Sequence, residues 1–291
     1  MAASSSPTVG RRRLAAELRR LRGGRTGGAV AKSLGWSPAK ISRYELGQGG
    51  FPLDEIEKLL DFYAVAEPRR TQLMSLAEDA NRQGWWEDYG DAISPGYMEF
   101  IGLEAEAASL LHWQVETVPG LLQTEEYALR IHAAVQRMYP TPPGVIDRRV
   151  EVRMTRQRVM TERMPPLELS VVLDESALLR HVGGSEVMRA QLRHLAQMAK
   201  MPNIHLRIRP LRSKNPIMAV SFVVFGFSPE GDTAKLGDVV STENLTNGEL
   251  YIEGESDTYR YRLFFDAVCA ESLSCEESMD LITRTAEQVW S

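Results

Sequence analysis

Residues 26–47 constrain the fold of this chain more strongly than any other part of its sequence. An apolar stripe at helical spacing ends there at Gly35, a residue that adopts positive φ without steric cost. Ser37 then favours a helix N-cap, and Pro38 suits the first helical position after it. The apolar residues of the stripe are Val30, Ala31 and Leu34. The pattern predicts two short helices joined by a glycine turn.

The second of these helices has two different faces. Ile41 and Tyr44 are spaced to point inward, towards the rest of the domain. The side chains expected to point outward are those of Ala39, Lys40, Ser42 and Arg43. A short helix with a basic, hydroxyl-bearing outer face fits the major groove of DNA, so the segment is interpreted as a helix-turn-helix. The alternative is a packed helical hairpin whose basic face is merely solvated.

The distribution of charge supports the first interpretation. The first fifty residues hold ten Lys and Arg against two Asp and Glu, a net charge of +8, although the whole chain carries −5. The remainder of the chain therefore carries −13. A basic head on an acidic body is expected where only one end of a protein meets phosphate.

Helical patterns continue on both sides of this segment. Five short apolar stripes separated by Gly or Pro predict a compact all-α domain over residues 14–80. Small and polar residues before it predict a disordered leader that ends in a basic arm, residues 1–13. Residues 81–96 lose the periodicity and collect Gly, Asp and Pro, which predicts a linker. A second domain is expected over residues 97–291.

The second domain mixes helical and strand patterns, so its predicted class is α+β and the whole chain is predicted to be multidomain. Strands are expected at 167–173, 203–211 and 219–227, and near 239–241 and 250–252. Helices are expected at about 97–112, 124–138, 144–163, 185–200, 255–270 and 275–290.

A resemblance to a known family lies in the helix-turn-helix segment, in the run A-x-x-L-G-W-S-x-x-x-I-S-R-Y-E-x-G followed by P-L-D-x-I-x-K-L-L. The run resembles the phage-repressor or xenobiotic-response-element (XRE) type of helix-turn-helix, over about residues 14–65. The resemblance implies that the helix beginning after Ser37 is the recognition helix. It also implies a buried ion pair between Arg20 and Glu45.

The residues expected at the DNA have different roles. Arg43 can donate two hydrogen bonds to a guanine, and Ser42 can bond to a base as donor or acceptor. Lys40 and Arg25 are expected at phosphates. Thr26 is expected to cap the helix that ends at Gly35, so that the backbone amides at the start of this helix face phosphate. The remaining expected DNA contacts are Ser37, Pro38 and Ala39.

A second resemblance covers about residues 92–285. It lies in Y-M-E-F-I-G-L-E-A-E, V-P-G-L-L-Q-T, V-L-D-E-S-A-L-L-R and L-Y-I-E-G-E-S-D-T-Y-R-Y. These segments are similar to the second domain of actinobacterial regulators of the WhiJ-like, antitoxin-like class. The resemblance implies a transcription factor, often encoded beside a small partner protein.

Two features of the second domain are candidates for a partner or effector site. The first is an apolar cluster, for which the alternative is ordinary core packing; its residues are Trp113, Val118, Pro119, Leu121 and Leu122. The second is an arginine-rich helix, predicted over 144–163, whose candidate contacts are Arg153 and Arg156. Its arginines are Arg148, Arg149, Arg153, Arg156, Arg158 and Arg163. A solvated face is the default for that helix, and a surface for an acidic partner or for DNA is the alternative.

Catalytic and metal-binding chemistry is not predicted. The five histidines lack the spacing of metal ligands, and Cys269 and Cys275 are expected to be reduced thiols. Asp174 and Glu175 follow a predicted strand, where a capping turn is favoured over an acid–base pair. No metal and no cofactor is expected.

The leading hypothesis is a sequence-specific transcriptional regulator that binds double-stranded DNA as a homodimer. Its C-terminal domain would receive a signal from a small protein or a ligand. The alternative is an antitoxin-type interaction protein that sequesters a small neighbouring-gene partner and autoregulates its operon. An enzyme with a DNA-binding appendage is the third hypothesis and the least favoured. The sequence has no run of 18 apolar residues and no secretory pattern, so a cytoplasmic protein is expected, without membrane contact.

Overall fold

The fold is described from a computed structural model, which describes residues 7–136, 140–215, 219–228, 237–244 and 248–291. The chain divides into two compact units, and the first boundary between them along the chain falls between Glu87 and Asp88, within the residues predicted as a linker. No described helix is long and apolar enough to cross a lipid bilayer.

The first unit is all-α, as predicted. Its helices are α1 (Pro7–Arg22), α2 (Gly27–Leu34), α3 (Pro38–Glu45), α4 (Leu53–Phe62) and α5 (Arg69–Ala80). A 3-10 helix, Trp85–Tyr89, follows them. Each helix turns an apolar face inward, and the buried side chains of all five form one core.

The predicted leader is wrong over residues 7–13, because α1 begins at Pro7. Val9 is fully buried. A side chain at Gly10 would lie 3.1 Å from the backbone nitrogen of Ala80, so glycine permits close packing of α1 against α5 at this point. Arg11 donates from Nε to the carbonyl oxygen of Ala80 at 2.9 Å. Small residues at the start of the chain therefore serve helix packing; residues 1–6 lie outside the described part.

The second unit contains helices and a six-stranded sheet, which confirms the predicted α+β class. Its strands are β1 (Ser109–Gln114), β2 (Glu168–Asp174), β3 (Ile204–Arg209), β4 (Phe222–Gly226), β5 (Val239–Asn244) and β6 (Gly248–Ile252). Its helices are α6 (Pro95–Glu106), α7 (Glu125–Val135), α8 (Pro143–Arg156), α9 (Ser176–Leu179), α10 (Ser185–Met198), α11 (Glu255–Ala270) and α12 (Cys275–Gln288). Short 3-10 helices lie at Gly120–Leu122 and Gln157–Met160.

The sheet is mixed, with the strand order β3-β2-β1-β4-β5-β6. β1, β2 and β3 are parallel to one another, and β4, β5 and β6 continue the sheet in antiparallel pairs. Trp113 of β1 lies beside Val172 of β2 and Phe222 of β4. It is buried in a core that includes Phe265 and Val268 of α11, so this helix covers one face of the sheet.

Strand β1 is the main error of the sequence prediction in this unit. The pattern predicts a helix over 97–112, whereas α6 ends at Glu106 and β1 begins at Ser109. In β1 the fully buried residues are Leu110 and Trp113, three positions apart, which imitates helical spacing. Pairing with β2 on one side and β4 on the other overrides that local pattern. The helix predicted for 124–138 ends at Val135, and residues 137–139 lie outside the described part.

Candidate nucleic-acid interface and interior cavity

Both helices of the predicted helix-turn-helix are capped as the sequence indicates. Thr26 Oγ1 accepts a hydrogen bond from the Ala29 amide at 3.2 Å and begins α2. Gly35 ends α2 with φ at +69°, in the left-handed region. Ser37 Oγ accepts from the Lys40 amide at 3.3 Å and begins α3. The turn is therefore fixed by local hydrogen bonds, and it sets the direction in which α3 leaves α2.

Helix α3 has the two faces that its sequence predicts. Ile41 and Tyr44 are buried in the core of the unit. The residues exposed along α3 and at the start of the motif are Arg25, Thr26, Ser37, Pro38, Ala39, Ser42 and Arg43. These are seven of the eight residues expected at DNA, and they all reach solvent from one helix-turn-helix.

Lys40 is the eighth of these residues, and its ammonium group already has a partner within the protein. Its Nζ lies 2.7 Å from Oε1 of Glu55 on α4 and 4.8 Å from the centroid of the Trp36 ring. Tyr44 donates its hydroxyl to the other oxygen of Glu55. The hydrogen bond from Lys40, and then that from Tyr44, lowers the pKa of Glu55, while burial and the same contact raise the pKa of Tyr44 to about 12. Lys40 thus links α3 to α4 through its ion pair with Glu55.

Arg43 differs from Lys40 in having no carboxylate partner among the described residues. Its guanidinium lies 5.6 Å from the centroid of the Tyr44 ring, and the side chain is exposed. A guanidinium carries five N–H donors, so the contacts of Arg43 with Tyr44 orient it and leave most of its donors available. Arg43 is therefore the exposed cation of α3 that remains available to bind another molecule.

The predicted Arg20–Glu45 ion pair is wrong. Glu45 accepts from Nε of Arg22, at 2.6 Å. Arg20 is 69% exposed and lies 3.3 Å from Glu17, one helical turn earlier on α1. Glu17 is itself buried and pairs with Arg69 of α5 at 2.5 Å. Residues two positions apart on a helix point in nearly opposite directions, so Arg22 faces the end of α3 while Arg20 lies on the α5 side.

In the second unit, most of the apolar cluster predicted as a partner or effector site belongs to the core. Trp113, Val118, Leu121 and Leu122 are buried core residues. Val118 and Pro119 also line a cavity of about 390 Å³. The cavity lies between the sheet and helices α6, α7 and α8, on the face of β1 that carries His112 and Gln114. Arg153 and Arg156, the other two candidates, line the same cavity.

The arginine-rich helix is not a solvated face, which corrects the default expectation for it. Arg149 donates to the carbonyl oxygen of Ala92 at 2.7 Å, and Arg148 pairs with Asp91. Arg163, beyond the helix, donates to the carbonyl oxygens of Ala105 and Ala107. Arg158 is exposed. Most of these arginines therefore bind α6 and the segments beside it.

Arg156 is the most deeply buried of these arginines, at 6% exposure. Its Nε and Nη2 donate to the two carboxylate oxygens of Glu104 on α6, at 2.8 and 2.6 Å. It also donates to the hydroxyl of Tyr97 and lies 4.9 Å from the centroid of the Phe100 ring. The bidentate pair neutralises Arg156 within the wall of the cavity.

Arg153 lies one turn before Arg156 and has no carboxylate partner among the described residues. Its Nη1 donates to Oε1 of Gln123 at 2.7 Å, whereas its buried Nε has no hydrogen-bond partner in the described part of the chain. The same holds for the buried Nε2 of His132 on α7. Burial, and then the charges of Arg153 and Arg149, lowers the pKa of His132 to about 4. His132 is therefore neutral at pH 7.

His112 is the second neutral histidine of the cavity wall. Its Nε2 donates to Oε1 of Gln114 at 2.9 Å. Burial lowers its pKa to about 4, and the charge of Arg156 acts in the same direction while the bond to Gln114 opposes it. Sequence analysis assigned neither histidine to a site, since the residues around them come from strands and helices far apart in the chain.

Asp174 and Glu175 do not form an acid–base pair; their carboxylates bind to the turns beyond β2 and β3. Asp174 Oδ1 accepts hydrogen bonds from the Ser176 amide at 3.0 Å and from its hydroxyl at 2.6 Å. Glu175 accepts from the amide of Leu211 at 2.8 Å. The two carboxylates thus bind different partners beyond the end of β2.

The capped α2–α3 pair and its exposed basic face define a helix-turn-helix, the domain of a DNA-binding regulator. Comparison with known families agrees, because a family described as a helix-turn-helix domain matches residues 13–73. Residues 97–284 match a family described as a domain of unknown function, DUF5753, which covers more than half of the chain. The chain belongs to this DUF5753 family. A search of curated proteins found no match.

Proposed function

We propose that this protein is a sequence-specific transcriptional regulator of the XRE type, in which α3 enters the major groove of its operator. The observation that carries the proposal is the pair of exposed side chains on α3, Ser42 and Arg43, beside a turn fixed by Gly35 and the Ser37 cap. Arg43 is the residue that would discriminate guanine, because a guanidinium donates to guanine O6 and N7 together.

The surroundings of the other candidates refine their proposed roles. Arg25 and Thr26 lie at the exposed start of α2, where the helix N-terminus and a cation would together bind a phosphate. Lys40 positions α3 through Glu55 rather than binding phosphate by itself. Pro38 and Ala39 present only apolar surface, which suits thymine methyl groups.

The proposal includes a two-fold homodimer and a signal received by the second unit. A dimer would place its two recognition helices ~34 Å apart, on half-sites one helical turn apart. The cavity lined by Val118, Pro119, Arg153 and Arg156 supports signal reception by a small molecule. It combines an apolar wall with polar groups that have no hydrogen-bond partner among the described residues. No comparable observation supports sequestration of a partner protein.

Selection from a random duplex DNA library tests the proposal without knowledge of the operator. The full chain should enrich one motif, with two-fold symmetry if it binds as a dimer. Arg43→Ala should enrich no motif, or one that has lost its guanine. The matched control is Arg20→Ala, which removes an exposed arginine from the α5 side of α1 and should enrich the wild-type motif.

Two results would refute the proposal. One is failure of the full chain to enrich any sequence. The other is enrichment of the same motif by Arg43→Ala and by wild type, because base discrimination would then lie elsewhere in the protein.

A further inference from the structure

We propose that the cavity of the second unit binds a small monocarboxylate with an apolar body, and that Arg153 and His132 bind its carboxylate. The proposal deepens the signal reception proposed above and rests on it for its regulatory meaning. The cavity itself stands on independent observations, namely its volume, its lining and two buried polar atoms without a hydrogen-bond partner in the part of the chain that the structure describes.

The apolar part of the lining sets the kind of body that fits. Phe100, Val118, Pro119, Ile131 and Phe222 contribute it from α6, the loop after β1, α7 and β4. A volume of about 390 Å³ lies at the small end of the range of ligand cavities, which begins near 300 Å³. The body is therefore a short chain or a single ring.

The polar part of the lining determines which charge the ligand carries. Arg153 Nε and His132 Nε2 are buried, and neither has a hydrogen-bond partner in the described part of the chain. The two side chains line the same cavity, His132 from α7 and Arg153 from α8. A buried arginine N–H without a partner is costly. A carboxylate accepts at once from an arginine and from the N–H of a neutral histidine in the tautomer that carries its hydrogen on Nε2.

The other charged groups of the wall limit the ligand to one negative charge. Arg156 is already neutralised by Glu104. Glu116 and Glu249 also line the cavity and would repel a second anionic group. A polyphosphate or a dicarboxylate is therefore disfavoured.

Isothermal titration calorimetry on the full chain tests the inference with phenylacetate and hexanoate as probes. Each acid should bind with a dissociation constant below about 1 mM, and its matched amide, phenylacetamide or hexanamide, should bind at least about tenfold more weakly. The comparison of acid with amide needs no variant, so it does not depend on the folding of a mutant.

Arg153→Gln should weaken phenylacetate binding by about tenfold or more and leave the weak binding of the amide unchanged. The matched control is Arg158→Gln, which removes an exposed arginine just beyond α8 that does not line the cavity. Circular dichroism verifies that each variant is folded.

The inference is overturned if the amides bind as well as the acids, if folded Arg153→Gln binds phenylacetate like wild type, or if neither acid binds. None of these results affects the DNA selection, which is performed without a probe. If phenylacetate binds as expected and leaves DNA affinity unchanged, the cavity assignment holds and the proposed signal reception fails.

Discussion

Arg22 donates from Nε to Oε1 of Glu45 at 2.6 Å and so joins the end of α1 to the end of α3. Both side chains are partly buried, at 25% and 12% exposure. Arg22 also donates to the carbonyl oxygen of Arg25 at 2.6 Å, which fixes the connection that leads into α2. One arginine thereby fixes both the end of α3 against the end of α1 and the connection between α1 and α2.

Arg22→Met should therefore lower the stability of the first unit by about 2 kcal/mol, since it leaves Glu45 partly buried without its partner. Arg20→Met should change it by less than about 0.5 kcal/mol, because an exposed ion pair contributes little. Differential scanning calorimetry of the full chain measures both. Equal destabilisation by the two variants would contradict this assignment of the Glu45 partner.

A second prediction separates the two cations of α3. Lys40→Met should destabilise the first unit by about 1 kcal/mol, because it removes the ion pair with Glu55, whereas Arg43→Ala should leave stability within about 0.5 kcal/mol of wild type. Thermal unfolding of each variant measures the difference. The reverse order would show that Lys40 is free and that Arg43 holds the fold.

A third prediction concerns the buried pair of the second unit. Glu104→Gln should destabilise this unit by about 3 kcal/mol or more, because it leaves Arg156 buried without a countercharge. The double variant Glu104→Leu, Arg156→Met should lose less than the single variant, since no charge then remains unpaired. Urea unfolding measures both losses. A double variant as unstable as Glu104→Gln would contradict an electrostatic origin of the effect.

A fourth prediction is a loss of stability in mild acid. The folded-state pKa values of His112 and His132 are lowered to about 4, below the usual value of 6.5. The unfolded chain therefore binds more protons between these values, so stability falls as pH falls from about 6.5 towards 4. Each histidine should account for about 1 to 2 kcal/mol between pH 7 and pH 5. The free energy of unfolding of His112→Gln and of His132→Gln, measured at both pH values, should depend less on pH than that of wild type. An unchanged pH dependence would contradict the assignment of the acid sensitivity to these histidines.

Much of the first unit is predictable from sequence because its determinants are local. Thr26, Gly35 and Ser37 act within four residues of their own positions, and the structure has the caps they predict. The partner of Glu45 depends on the packing of α1 against α3, which the motif does not encode. The Arg20–Glu45 pair that the family resemblance implies is therefore wrong, because side chains two positions apart on α1 point in different directions and Arg22 is the one that faces Glu45.

The second unit is predictable in class and not in its site. Strands β2 to β6 follow clear alternation or apolar runs, whereas β1 imitates a helix through Leu110 and Trp113. The cavity is assembled from β1, α7 and α8, so the approach of His132 to Arg153 depends on tertiary packing. The arginine pattern indicated a candidate site, but it could not show that Arg156 is neutralised by Glu104 while Arg153 is not.

The most direct test of the central claim is the ratio of affinities for the selected motif and for a scrambled duplex, measured by fluorescence anisotropy at two salt concentrations. Wild type should prefer the motif at both, while its affinity for either duplex falls with salt. Arg43→Ala should reduce the ratio by about tenfold to a hundredfold, because it loses a bidentate contact to guanine. An unchanged ratio for Arg43→Ala would contradict the assignment of α3 as the helix that recognises DNA sequence.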